Sequence, residues 1–252
     1  MKKKIALITG ATSGIGKATA LTLAKNGYSI IATGRRADRL EELREELAEG
    51  VAFLPLVFDV RERENVLQIS GDLPEEWKAI DVLINNAGNA HGLDPIQTGN
   101  LDDWDAMIDI NVKGLLYVTK AIIPGMCERK SGMVINIGSI AGKEAYPNGN
   151  VYCGSKSAVD AITKGMRMDL NPFGIRVVAI HPGLVETEFS MIRFKGDEGR
   201  SGKVYQGFEP LVAQDIAEII EFVVNRPAHV VLADIVVLPT AQASATIVHK
   251  NL

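Results

Sequence analysis

The sequence has few cysteines, few aromatic residues and no long apolar run. Its two cysteines, Cys127 and Cys153, cannot supply a disulfide framework or a cysteine-based metal site. We interpret both as small buried side chains in a reducing cytoplasm. No stretch approaches the roughly 18 apolar residues of a membrane span. The apolar run at 5–8 that follows the first lysines is also too short for a signal peptide. We therefore expect a cytoplasmic protein without a membrane segment or a metal.

An excess of positive charge is also missing. The chain carries 27 Lys and Arg against 31 Asp and Glu, a net charge of −4, so nothing indicates a surface for nucleic acid or anionic lipid. Its 252 residues, 46% of them hydrophobic, suit one α/β domain. Neither a repeat nor a linker divides the sequence, which predicts a single domain over residues 1–252.

Short apolar runs alternate with helical patterns along the chain, which is typical of a parallel sheet covered on both faces. The predicted strands are 4–8, 28–33, 51–58, 81–84, 133–138, 175–180 and 234–238. Longer helices are predicted at 38–48, 102–127, 150–170 and 215–224, with a polar loop or substrate lid at about 184–208. This order predicts a Rossmann-type, doubly wound α/β fold that binds ligands beyond the carboxyl ends of its strands.

A glycine-rich turn joins the first strand to the first helix. Its spacing, G-x-x-x-G-x-G, lets the backbone approach a pyrophosphate at a helix N-terminus. The alternative is a turn that only packs the helix on the strand. The candidate cofactor-binding residues in this turn are Gly10, Thr12, Ser13, Gly14, Ile15 and Gly16.

The end of the second strand indicates which nucleotide binds. An NAD enzyme usually places a carboxylate there to hold the ribose hydroxyl. This chain has Gly34, Arg35 and Arg36 instead, and guanidinium groups suit the extra phosphate of NADP. Two solvated arginines are the alternative.

Four polar residues form a candidate catalytic set. Tyr152 and Lys156 are four residues apart in a predicted helix, so they share one face. Ser139 follows the fifth strand on the ligand side, and Asn111 lies inside the long preceding helix.

Together with Pro182-Gly183, these motifs resemble the short-chain dehydrogenase/reductase family over nearly the whole chain, in its order and spacing. The resemblance implies that Tyr152 is the general acid/base, that Lys156 lowers its pKa and holds the ribose, and that Ser139 aims the substrate carbonyl. Asn111 would anchor a water that relays the proton. The further cofactor contacts that the resemblance implies are Asp59, Val60, Asn86, Ala87, Gly88, Pro182, Gly183, Val185 and Thr187.

Within the family, segments such as 32–36, 149–152, 188–190 and 193–197 are similar to NADP-dependent 3-hydroxy acid dehydrogenases, which oxidise serine and related acids. We expect Arg193 in the lid to bind the substrate carboxylate and Tyr146 to line the pocket beside Ser139 and Tyr152. His91 is interpreted as a solvated loop residue. Alternatives are a reductase of β-ketoacyl, sugar or steroid carbonyls, or an NADP-sensing protein without chemistry. Apolar residues on several faces of the long helices, together with the unpatterned tail at 239–252, predict a homotetramer in which the tail lies across a neighbour.

The arginine pair generates a test of the nucleotide. Charge-assisted hydrogen bonds contribute roughly 1.5–3 kcal/mol each, so two of them predict about a 10²–10⁴-fold preference for NADP over NAD. The measurement is kcat/KM for each nucleotide with one substrate. Equal values would contradict the assignment of Arg35 and Arg36.

Overall fold

The structure is a computed structural model that describes residues 3–251. Its strands are β1 (Ile5–Thr9), β2 (Ser29–Gly34), β3 (Phe53–Val57), β4 (Val82–Asn85), β5 (Gly132–Ile137), β6 (Ile175–Pro182), β7 (Val185–Glu186), β8 (Leu211–Val212) and β9 (Asp234–Val237). Its helices are α1 (Gly14–Lys25), α2 (Ala37–Glu46), α3 (Arg63–Asp72), α4 (Leu101–Ile108), α5 (Leu115–Arg129), α6 (Asn150–Leu170), α7 (Phe189–Arg193), α8 (Glu198–Tyr205) and α9 (Ala213–Val224). None of these helices combines the length and the hydropathy needed to cross a lipid bilayer.

Seven of the described strands form one parallel sheet in the order β3-β2-β1-β4-β5-β6-β9. The order reverses beside β1, because the chain first builds outward to β3 and then returns to add β4 on the other side. The predicted doubly wound fold is therefore confirmed. Neighbouring strands diverge at this reversal, which leaves a crevice at their carboxyl ends.

The core lies on both faces of the sheet. Ala6 and Ile8 of β1 point to the layer that contains α1 and α9, whereas Ile5 and Leu7 point to the layer that contains α3 and α5. Because side chains alternate along a strand, a strand covered on both sides must be apolar throughout. This explains why β1 reads as a continuous hydrophobic run.

Two regions contain α-helices that the sequence did not predict. The sequence predicted no element between 58 and 81, but α3 lies there with only Val66 and Ile69 buried, too few apolar residues to produce a clear helical pattern. The segment at 184–208 was predicted to be irregular, but it contains α7 and α8. The side chain of Asp197 caps α8 by accepting a hydrogen bond from the backbone N–H of Arg200.

The tail, which was predicted to lie across a neighbouring subunit, makes polar contacts with its own chain. The Oε1 of Gln242 accepts a hydrogen bond from the Leu184 N–H at 2.9 Å. The Asn251 N–H donates to the Gly207 carbonyl at 2.8 Å. Lys250 donates to the Lys203 and Val204 carbonyls at the end of α8. These polar backbone contacts leave no periodic pattern in the sequence.

Candidate active site

A cavity of about 840 Å³ lies at the carboxyl ends of the central strands. It runs from the turn after β1 to the lid segment at 184–208. Every residue predicted from the sequence to belong to the site lines this cavity, except Gly16 and Asn111. The fold thus brings together side chains that are far apart in the chain, such as Ser13 and Arg193, which are separated by 180 positions.

The turn after β1 is a cradle that only small residues can form. Gly10 has a φ of +66°, and a Cβ there would lie 3.0 Å from the Cα of Ala87. Gly16 does not face the cavity because it packs against the turn itself, where a Cβ would lie 2.3 Å from the Gly10 carbonyl oxygen. Asn86 locks the turn by donating from Nδ2 to the Thr9 and Gly10 carbonyls. The N-terminus of α1 is left facing the cavity as an anion site.

Basic side chains surround the outer end of the cradle. Arg36 donates to Thr12 Oγ1 at 3.0 Å and to Ser13 Oγ at 3.1 Å, and it pairs with Glu188 at 3.2 Å. Arg35 is largely exposed and lies 3.6 Å from Asp59. The arginines therefore converge on the end of the cradle, and acidic side chains hold them there.

Ser139, Tyr152 and Lys156 lie together beneath the inner end of the cavity. Ser139 follows β5, and its Oγ accepts the Ala141 N–H at 3.1 Å as a short 3₁₀ turn begins. Tyr152 and Lys156 are on one face of α6, and both are almost fully buried. Lys156 Nζ donates to the Ile137 carbonyl at 3.0 Å, which ties α6 to the end of β5.

The pKa of Tyr152 differs from the expectation. Burial raises this pKa above its ordinary value, the nearby Tyr146 raises it further, and the hydrogen bond with Ser139 and the charge of Arg193 only partly oppose these effects. Lys156 was expected to lower it, but its ammonium is directed at the Ile137 carbonyl. Burial lowers the pKa of Lys156 itself to about 8.

Asn111 lies behind the cavity wall in a π-helical stretch, Asp109–Gly114, between α4 and α5. Its Nδ2 donates to the Asn89 carbonyl and to Ser155 Oγ of α6, and its Oδ1 accepts the Asn89 N–H. The carboxamide thus joins the loop after β4 to α6. Its contacts are those of a positioning residue rather than of a group that touches the substrate.

Arg193 ends α7 and closes over the inner cavity. Its Nη2 donates to the Tyr146 hydroxyl at 3.0 Å, and its Nε donates to the Gly92 carbonyl at 3.2 Å. The guanidinium lies 5.5 Å from the ring centres of both Tyr146 and Tyr152. Within residues 3–251, no acceptor is in hydrogen-bond reach of its Nη1. The arginine therefore brings an available positive charge beside Tyr152.

The profile of the short chain dehydrogenase family matches residues 4–198. The chain belongs to this family.

The dehydrogenase aligns with similar proteins over almost its whole length. It is 45% identical to the NADP-dependent 3-hydroxy acid dehydrogenase YdfG of Salmonella typhi, over 98% of this chain and 100% of the relative. It is 44% identical to sulfoacetaldehyde reductase 2 of Chromohalobacter salexigens, over 95% of each chain. The closed form of a serine dehydrogenase complexed with NADP⁺ superposes with a TM-score of 0.93 at 43% identity, over 98% of this chain and 100% of the solved one.

Several cavity residues of the dehydrogenase were not predicted from its sequence. Arg61 pairs with Asp59 at 2.7 Å; burial acts to raise the pKa of Asp59, but the Arg61 hydrogen bonds outweigh it and lower that pKa. Glu188 reaches Arg36 from the lid. His91 was predicted to be solvated, but it is half-buried in the cavity wall and shares a 2.8 Å hydrogen bond with Asn89. These are charged or polar loop residues, and nothing in a periodic pattern marks them.

The buried Lys156 predicts a pH dependence of the dehydrogenase's stability. The folded state releases the Lys156 proton near pH 8 and the unfolded state near 10.5. Between these values the unfolded state binds more protons, so the wild type gains stability as the pH rises. Lys156→Met should therefore be more stable at pH 7, and this advantage should shrink by about 1.4 kcal/mol per pH unit above 8. Urea unfolding of both proteins from pH 7 to about 9.5 measures the difference. A constant difference would show that the ammonium is not disfavoured by burial.

Proposed function

We propose that this dehydrogenase uses NADP to interconvert small 3-hydroxy acids, such as serine, and the corresponding 3-oxo acids. The observation that carries the proposal is the position of Arg193, whose guanidinium lies 5.5 Å from the ring of Tyr152 in the cavity that also contains Ser139 and the glycine cradle. An anion site thus lies beside an acid/base group and a nucleotide site.

The cradle and the groups around it fit NADP. The α1 N-terminus and the side chains of Thr12 and Ser13 supply donors for the phosphates, since the first turn of α1 contains no acidic residue. Arg35 and Arg36 are suited to the additional phosphate. The remaining predicted cofactor contacts all line the same cavity; they are Asp59, Val60, Asn86, Ala87, Gly88, Pro182, Gly183, Val185 and Thr187. A bound nicotinamide supplies the hydride chemistry.

Tyr152 moves the proton in this proposal. Its raised pKa keeps the phenol protonated near neutral pH, and this form can donate a proton to the oxygen of a carbonyl that is being reduced. In the oxidation direction the phenolate accepts the proton of the substrate hydroxyl. Ser139 orients the same oxygen by a hydrogen bond.

Arg193 binds the acidic group of the substrate in this proposal. A guanidinium binds a carboxylate through two parallel hydrogen bonds, which fixes the orientation of the substrate. Lys195, the next cationic residue of the lid, pairs with Asp103 at 2.9 Å and does not line the cavity. A sulfonate would also satisfy Arg193, and one relative is named a sulfoacetaldehyde reductase. A sulfonate therefore belongs in any test panel.

The proposal includes a homotetramer with two-fold axes in the cytoplasm. Exposed apolar residues on the long helices support the assembly: Leu116 on α5 is 39% exposed and Met168 on α6 is 71% exposed. Most apolar residues that first suggested a tetramer are buried inside the single chain, including Val118, Ile122 and Val159. The free state of Cys127 and Cys153 supports a reducing compartment.

The proposed substrate class is tested by Arg193→Ala. The panel contains L-serine, D-serine, 3-hydroxypropionate, sulfoacetaldehyde and a neutral secondary alcohol, and nicotinamide absorbance reports turnover. The wild type should prefer one of the charged substrates. The loss of about 1.5–3 kcal/mol should raise KM for that substrate roughly tenfold or more, while kcat/KM for the alcohol changes little. Lys195→Ala is the matched control on the same lid and should behave as the wild type.

Equal losses on charged and neutral substrates would contradict the carboxylate assignment, because Arg193 would then act by holding the lid against Gly92. A wild type that turns over only the neutral alcohol would contradict the substrate class itself.

A further inference from the structure

A group of ionisable side chains around the buried His181 lies behind Ser139. His181 at the end of β6 is fully buried, and its Nε2 lies 3.3 Å from an oxygen of Asp234 and 3.6 Å from one of Asp160. Lys143 contacts both carboxylates, and Lys164 contacts Asp160 at 2.7 Å. We refer to His181, Asp160, Asp234 and Lys143 as the rear cluster. Its members come from β6, α6, β9 and the segment after Ser139.

His181 reaches the Ser139 backbone with its other nitrogen. Nδ1 lies 3.3 Å from the Ser139 carbonyl oxygen. A carbonyl oxygen only accepts hydrogen bonds, so Nδ1 carries the proton and donates it. The last backbone hydrogen bond between β5 and β6 joins the residue before Ser139, where the Gly138 N–H donates to the Ile180 carbonyl at 2.7 Å. The histidine side chain therefore adds one more hydrogen bond between the two strands, at Ser139.

Gly138 allows the imidazole to occupy this position. A Cβ at residue 138 would lie 2.4 Å from His181 Nδ1 and 2.7 Å from its Cε1. The ring therefore packs closely against the backbone that leads into Ser139. The Ser139 carbonyl also accepts the Gly142 N–H at 2.9 Å, so it is held from both sides.

The rear cluster also fixes α6 relative to Ser139. Asp160 is one helical turn beyond Lys156 and is held by Lys143, which lies four residues after Ser139. Gly142, next to Lys143, packs against α6 so closely that a Cβ there would lie 2.6 Å from the Lys156 carbonyl oxygen. The helix that bears Tyr152 and the turn that bears Ser139 are thus joined at this point.

The two carboxylates of the rear cluster are paired with two ammonium groups, those of Lys143 and Lys164. The ligand atoms of Asp160, His181 and Asp234 lie within 4.8 Å of one another, a spacing that a metal ion could bridge. The ammonium of Lys143 already contacts both carboxylates. Burial lowers the pKa of His181, as does Lys143, while Asp234, Asp160 and the bond to Ser139 act in the opposite direction. Nδ1 faces the Ser139 carbonyl, whereas Nε2 faces the two carboxylates and has no hydrogen-bond partner among the described residues.

We propose that His181 is a positioning residue for the reaction: it holds the Ser139 peptide so that the hydroxyl meets the substrate oxygen beside Tyr152. This inference rests on the proposed function, because it assigns the residue to the same proton-transfer site. Lys143 and Asp160 assist by fixing α6 against that peptide. A displacement of about 1 Å at such a site can lower turnover 10²-fold.

Two isosteric replacements separate this role from general packing. The amide nitrogen of asparagine occupies nearly the place of Nδ1, whereas that of glutamine lies one bond farther, near Nε2. His181→Asn should therefore keep kcat within about threefold, while His181→Gln should lower kcat about tenfold or more. NADPH affinity, measured by fluorescence, should change little in either variant. Wild-type turnover of the best substrate of the panel is measured in the same experiment. It tests the proposed function separately from the role of His181.

A double-mutant cycle with Ser139→Ala gives the decisive comparison. If His181 acts through Ser139, His181→Gln should reduce kcat by less than twofold in the Ser139→Ala background, because coupled residues are not additive. The same tenfold loss in both backgrounds would overturn the proposal, as would equal activity of the Asn and Gln variants.

Lys143→Met leaves His181 in place and gives a second readout if His181→Gln does not fold. It should lower kcat several-fold without loss of NADPH affinity, and unchanged kcat would count against the rear cluster.

Discussion

The packing of α6 against the carboxyl end of β5 is the constraint on which the active site depends. Lys156 spans this contact by donating to the Ile137 carbonyl, and Tyr152 lies one turn earlier on the same helix face. Ser139 leaves β5 at the same point. The proposed acid/base group and the hydroxyl proposed to aim the substrate are therefore positioned by one helix–strand contact. A shift of α6 along the sheet would change the distance from Tyr152 to Ser139 and to the glycine cradle together.

Opposing effects of burial explain the chemistry of this contact. Burial raises the pKa of Tyr152 and lowers that of Lys156. Both groups are thus shifted toward their neutral forms, which differs from the simple picture of an ammonium that stabilises a phenolate. Arg193 is the cationic side chain that faces the Tyr152 ring. A site of this kind favours a substrate that brings its own negative charge, because that charge compensates the guanidinium.

The sequence predicted the fold and most of the residues that line the candidate site because both follow from local rules. Parallel strands buried on both faces read as apolar runs, and the glycines of the cradle have backbone positions that a Cβ would obstruct, as at Gly10. Tyr152 and Lys156 are joined by helical spacing. The pairing of Arg36 with Glu188, across 152 positions, has no such local signal. The packing of the tail against α8 and the position of Asn111 behind the cavity wall have no local signal either. These features depend on which loops meet in space.

The measurement that tests the account most directly is turnover by Tyr152→Phe. This change removes the hydroxyl and leaves the buried ring, so the cavity and the contact of α6 with β5 should persist. The account predicts a fall in kcat of about 10²–10⁴-fold, with NADPH binding close to that of the wild type. Turnover within a few-fold of the wild type would contradict it, because the proton would then pass through another group.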